Sequence, residues 1–145
     1  MTRLRVLVVL AASLAVACSK PGLPPADARQ ELAEVAAEVA ADTGVELLQA
    51  DPEVDKTRCA SVPGLSTDRT YTTFQVSTRS VDRASAERVY ESAVEHVGVS
   101  ENDRRNGEFW IAGEGGEGAT PAWYVRLSDV GEQWQTSIVR GAGCS

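Results

Sequence analysis

The sequence predicts an α+β fold: an antiparallel sheet of about four to five strands with two helices packed on one face, a two-layer sandwich. Three observations lead there. Asp27–Asp42 and Asp82–Val97 repeat apolar residues at steps of three and four, the spacing of one helix face. Shorter segments alternate apolar and polar residues, the spacing of a half-buried strand. The resulting order is α-β-β-α-β-β-β. Its last three strands are separated by short connections that suit antiparallel neighbours.

In the first helix, Ala28, Leu32, Val35 and Val39 form the apolar stripe. Asp27 follows a Pro-Pro pair and precedes Gln30 by three residues, which makes it the expected N-cap; Gly44 is placed as the C-cap. Val45–Ala50 forms a short strand. Asp51–Thr70, rich in Pro, Gly, Asp and Ser, reads as a long loop holding Cys59. Thr70–Arg79 is a strand with Thr72, Phe74 and Val76 inward and Tyr71, Thr73, Gln75 and Ser77 outward. The second helix carries Ala86, Val89, Ala93 and Val97, broadened by Tyr90 and Val94, and stops at Gly98.

The last third reads as β structure. Glu108–Gly113 puts Phe109 and Ile111 on one face and Trp110 on the other. Ala122–Ser128 places Trp123, Val125 and Leu127 on one side. A turn at Asp129–Glu132 leads into Gln133–Arg140, where Trp134, Thr136 and Ile138 face inward. The strand-helix-strand step over residues 70–113 is expected to be a parallel, right-handed crossover.

The amino terminus reads as a targeting segment. Arg3 and Arg5 precede a stretch, Val6–Ala17, that is apolar apart from Ser13. It is shorter than the roughly 20 residues a membrane-spanning helix needs and matches a secretory signal, typically about 7–15 apolar residues. Leu14-Ala15-Val16-Ala17-Cys18 resembles the lipobox of bacterial lipoproteins, with Ala15 where leucine is commoner. The resemblance implies cleavage before Cys18 and a diacylglyceryl group on its sulfur. The alternative is an ordinary signal peptide cut after Ala17. Residues 1–17 are then the signal peptide, 18–25 a proline-rich tether, and 26–145 one globular domain. Two or three acyl chains on one cysteine would hold it persistently, where one chain holds only marginally.

Removing residues 1–17 takes away two arginines and no acid, so the net charge of −7 becomes −9. An acidic body suits neither nucleic acid nor an anionic lipid surface. The chain has three cysteines. With Cys18 lipidated, Cys59 and Cys144 remain to form a disulfide in an oxidising compartment, or persist as two separate buried thiols. A helix after the tether, a cysteine before the long strand, and a last strand ending in Gly143-Cys144 resemble small actinobacterial lipoproteins of the LppA type. That likeness of layout implies the same roles for Cys18, Cys59 and Cys144 and no defined activity.

Chemistry-bearing motifs are few. His96, the single histidine, reads as a helix-end residue favoured by the dipole, with proton carrier as the alternative. No Gly-x-Ser-x-Gly elbow occurs. Gly113–Gly118, with Glu114 and Glu117, reads as a solvated hairpin loop; weak calcium binding is the other reading. Arg104 and Arg105 break any calcium-loop pattern in 102–107. Tyr71, Trp110 and Tyr124 alternate outward and would form a binding platform if they lie together. These features point to a lipid-anchored, non-catalytic envelope module that needs no cofactor or metal and binds an envelope protein or glycan. The alternatives are an envelope hydrolase with paired carboxylates and a structural assembly lipoprotein.

Overall fold

The computed structural model describes residues 23–60, 62, 64–65, 68–79, 81–98, 104–105, 108–112 and 121–144. The signal segment, Cys18, the glycine-rich loop 113–118 and most of 102–107 lie outside the described residues. Two helices, α1 (Pro25–Thr43) and α2 (Arg83–Val97), join a single antiparallel sheet. Its strands are β1 (Leu47–Gln49), β2 (Glu53–Asp55), β3 (Tyr71–Thr78), β4 (Arg104–Arg105), β5 (Glu108–Ala112), β6 (Pro121–Asp129) and β7 (Trp134–Gly141). The spatial order is β1-β3-β7-β6-β5-β4, with β2 also pairing β3. The α+β class is as the sequence predicts.

The five expected strands all form. The two further ones, β2 and β4, are short edge strands of three and two residues inside segments that read as loops. Strands of that length leave too little alternation for a periodic signal. The expected parallel crossover from β3 to β5 does not occur. β3, β7, β6 and β5 pair antiparallel in turn, so three reversals leave β5 running opposite to β3. The strands that do run with β3 are β6 and β4, and β4 turns back antiparallel onto β5.

α1 starts two residues before the expected N-cap. Pro24 occupies the cap position without a side-chain bond, and Pro25 is the first helical residue. Proline is favoured there because its missing N–H would have had no partner. Asp27 therefore sits in the first turn, where a negative charge complements the helix dipole. α2 begins with a side-chain cap: Asp82 Oδ1 accepts the N–H of Ser85 at 2.9 Å. Both helices end on a left-handed glycine, Gly44 at φ 69° and Gly98 at φ 76°. Arg83 stacks over Trp134, 4.7 Å from the ring centroid, and Val81 bridges Trp134, so the start of α2 is tied to β7.

Residues opposite one another in a ladder share a face. On the helix-covered face the register therefore aligns Val76, Ile138 and Val125 across three strands, flanked by Phe74. Ala28, Leu32 and Val39 of α1 and Val89, Tyr90 and Ala93 of α2 close over them, and Trp123 and Leu127 pack against the margin. Thr78 and Thr136 are fully buried within this layer. Thr136 donates its hydroxyl to the Ala86 carbonyl at 2.6 Å, and its N–H donates to Thr78 Oγ1 at 3.0 Å. Both hydroxyls are thus satisfied while linking β3, β7 and α2.

Cys59 and Cys144 form a disulfide that joins positions 85 residues apart. A loop of that length corresponds to about 4–5 kcal/mol of lost chain entropy in the unfolded state. Replacing both cysteines with serine is expected to lower unfolding stability by about 2–5 kcal/mol, read from urea unfolding midpoints. Ile138→Ala, at the centre of the aligned row, is expected to cost about 2–5 kcal/mol in the same measurement.

Candidate functional site

The disulfide belongs to a built corner at one end of the sheet. Asp55, at the end of β2, accepts the N–H and the hydroxyl of Thr57 at 2.8 and 2.7 Å and the N–H of Arg58 at 3.3 Å. These bonds, the Thr57 hydroxyl first, hold the Asp55 carboxyl below its ordinary range. They also wind Thr57–Cys59 into one 3-10 turn. Arg58 is thereby laid against Asp55 at 3.2 Å and over the Tyr71 ring at 5.4 Å. The same turn delivers Cys59 to Cys144. Arg69 donates to the Cys144 carbonyl at 2.7 Å, and Gly143 N–H donates to the Leu23 carbonyl at 3.0 Å. The first described residue therefore lies beside the C-terminal one.

This corner overturns one expectation. Tyr71 is 7 % exposed, although the alternation of β3 placed it outward. The turn before Cys59 covers it, and burial pushes the phenol pKa up against the opposing effect of Arg58 and Arg140. The Asp55-x-Thr57 pattern, a local side-chain-to-backbone turn signal, is the sequence feature that could have warned of this.

The other two residues of the expected platform do come together. Trp110 on β5 has Tyr124 on β6 as its direct ladder partner, and Tyr124 is opposite Val139, which is opposite Gln75. The row Gln75–Val139–Tyr124 alternates with the core-facing row and so belongs to the face opposite α1 and α2. Gln75, Val139 and Tyr124 are partly exposed. Tyr71 lies two strands from Tyr124 and four residues along β3 from Gln75, so it does not join that row.

On the helical side, His96 does more than end α2. Its Nε2 is 2.6 Å from Asp42 Oδ2 and its Nδ1 is 3.0 Å from Glu38 Oε2, both on α1. Ser92 donates to the same Asp42 oxygen at 3.2 Å. The hydrogen bond that His96 donates to Asp42 is the main cause of its raised pKa, with Glu38, Asp42 and Glu95 adding charge attraction against partial desolvation. Asp42 is correspondingly lowered, chiefly by the same bond. The imidazole is thus a clamp between helices with both nitrogens engaged.

A second link continues the inward alternation of Trp134, Thr136 and Ile138 to Arg140, whose partner that pattern does not name. Arg140 faces the helices, 9 % exposed, and its Nε and Nη2 both lie 2.8 Å from Glu31 Oε2. Its guanidinium also stacks on Trp123 at 5.0 Å. A planar cation with five donors suits such a half-apolar position.

No group of three or more potential metal-ligating side chains occurs among the described residues. The carboxyls displaced in proton affinity there, Asp42, Asp55 and Asp82, are all displaced downward. No described helix is long and apolar enough to cross a membrane. Comparison with known proteins finds no matching family model, no matching curated protein and no matching solved structure.

The His96 clamp has a defined pH signature. A histidine whose folded pKa is raised contributes fully below its unfolded value, near 6.5, and loses that contribution as pH climbs through the folded value. Asp42, whose pKa is lowered, contributes above its unfolded value of 3.8 and loses this as pH falls through the folded one. The clamp is therefore strongest between about pH 4 and 6.5. From pH 6 to 9 the melting temperature is expected to fall by a few degrees more in the natural chain than in His96→Gln, as thermal unfolding would show. Separately, Arg140→Ala is expected to cost about 2–4 kcal/mol, because packing on Trp123 goes with the ion pair, and Glu31→Gln only about 1 kcal/mol.

Proposed function

We propose that this chain is an exported lipoprotein, attached by a diacylglyceryl group on Cys18 to the outer face of the cell membrane. Its mature domain would serve as a non-catalytic binding or accessory module of the cell envelope. The observation that carries the first half is the sulfur accounting. Three cysteines are present, and Cys59 is joined to Cys144, so the odd thiol is the one at the end of the lipobox-like Leu14–Cys18 segment. A long-range disulfide also agrees with an oxidising compartment.

Support for the second half comes from two surfaces. The described carboxyls with displaced pKa values are held ionised, which suits ion pairing and capping better than the protonated acid of a glycosidase pair. Trp110 and Tyr124 are ladder partners on β5 and β6, and Tyr124 is partly exposed. Adjacent aromatic residues on an open sheet offer a flat amphipathic contact for a glycan or an envelope protein.

Intact mass of the protein purified from its membrane fraction is expected to begin at Cys18 and to exceed the peptide mass by two or three acyl chains. Cys18→Ala is expected to shift the protein from the detergent phase to the aqueous phase. A mature chain without acyl mass that stays aqueous would defeat the anchor. Crosslinking on intact cells tests the module: Trp110→Ala with Tyr124→Ala should lose the captured partner by tenfold or more while keeping the disulfide. Capture undiminished in that variant would remove the aromatic pair from the binding surface.

A further inference from the structure

We infer that the disulfide end of the domain rests on the lipid bilayer, with Val54, Val62 and Leu65 at the boundary between headgroups and acyl chains. The inference rests on the lipoprotein reading and adds to it an orientation and a contact surface. Its first support is where the chain leaves the domain. The Leu23 carbonyl is held by Gly143, the neighbour of Cys144, and Cys144 is bonded to Cys59. Only four residues, Ser19 to Gly22, separate Cys18 from Leu23. Fully extended, the five steps from one to the other reach about 17 Å. An acyl group on Cys18 thus keeps this end of the sheet near the headgroups and leaves the other end facing away.

The second support is the distribution of exposed aliphatic residues. Among the described residues, the large hydrophobics most open to water are Val54 and Leu65, at 60 % each, then Val62 at 50 %. Val54 lies on β2, opposite Thr72 at the start of β3, next to the disulfide corner. Val62 and Leu65 share a turn, Leu65 N–H donating to the Val62 carbonyl at 3.2 Å. Their segment is suspended between Cys59 and Tyr71, both at the tether end. Three exposed aliphatic side chains gain by leaving water, in proportion to the apolar area removed. A tether this short keeps the local lipid concentration high, so a weak contact is enough.

Charge permits the contact at this end. Residues 51–69, which lead into and out of this corner, hold Asp51, Glu53, Asp55 and Asp68 against Lys56, Arg58 and Arg69, with Asp55 paired to Arg58, so the segment is nearly balanced within an acidic chain. Apolar insertion into a zwitterionic surface is therefore the mode, in place of attraction to anionic lipid.

The test uses the full acylated protein in phosphatidylcholine vesicles. After the native disulfide has formed, an environment-sensitive fluorophore is attached at Leu65→Cys or, as the control at the opposite end of the sheet, at Val130→Cys. Quenching by a nitroxide lipid labelled near the headgroup is expected to be several-fold stronger at 65 than at 130. In the unlabelled natural chain, amide hydrogen exchange over residues 56–70 is expected to slow several-fold on vesicles relative to the Cys18→Ser protein, with residues 129–134 unchanged. Equal quenching and unchanged exchange, in a protein that carries its acyl mass and floats with the vesicles, would overturn the orientation alone. Absence of acyl mass would overturn the anchor as well, which separates the two failures. Protection of 56–70 without vesicles, rising with protein concentration, would assign the patch to a second copy and also overturn the proposal.

Discussion

Pairing of β3 with β7 is the constraint from which most of the structure follows. It sets Thr73 opposite Gly141 and carries the register through Val76 and Ile138 at the centre of the core. Joining an early strand to the last one is costly in loop entropy, because the intervening chain must be closed before the contacts reward it. Once made, it places the C-terminal residues beside β2, the Thr57–Cys59 turn and Leu23. The disulfide, the Arg69 bond and the Gly143 bond then fasten that one junction from three sides. The disulfide offsets the loop-closure cost by restricting the unfolded chain in the same loop.

Polar groups, and not only apolar ones, fix how the helices sit. Aliphatic packing of Leu32, Val39 and Val89 on Val125 and Ile138 drives the layers together without specifying their angle or register. Directional contacts supply that. Thr136 reaches the Ala86 carbonyl, Arg140 reaches Glu31, and His96 joins α2 to Glu38 and Asp42. Each leaves a costly unpaired group behind if the helix slides, so the arrangement is specified by satisfaction of polar groups as well as by area buried. The His96 link alone is titratable near neutral pH, which makes the helix pair the pH-sensitive part of the fold.

The domain is polar in the directional sense, with an end and a face that differ. Its disulfide end gathers the chain exit, the exposed aliphatics and a nearly neutral set of charges. The face opposite the helices carries Gln75, Val139 and Tyr124, whose strand neighbours Val76, Ile138 and Val125 form the core.

Residue order along the chain sufficed for the α+β class, both helices, the five principal strands and the sulfur pairing. Each of these leaves a local or countable mark: a three-and-four stripe, an alternation, a left-handed glycine stop, an odd cysteine beside a lipobox-like segment. The ladder partnership of Trp110 with Tyr124 was half legible, since alternation assigns a face but no neighbour. Only the tertiary structure decided that β5 runs against β3, that Tyr71 is covered, and that Glu31 is the partner of Arg140. Those outcomes depend on which strands meet and on what a distant turn lays over a side chain. Such contacts form between residues tens of positions apart, where the sequence carries no periodic signal to mark them.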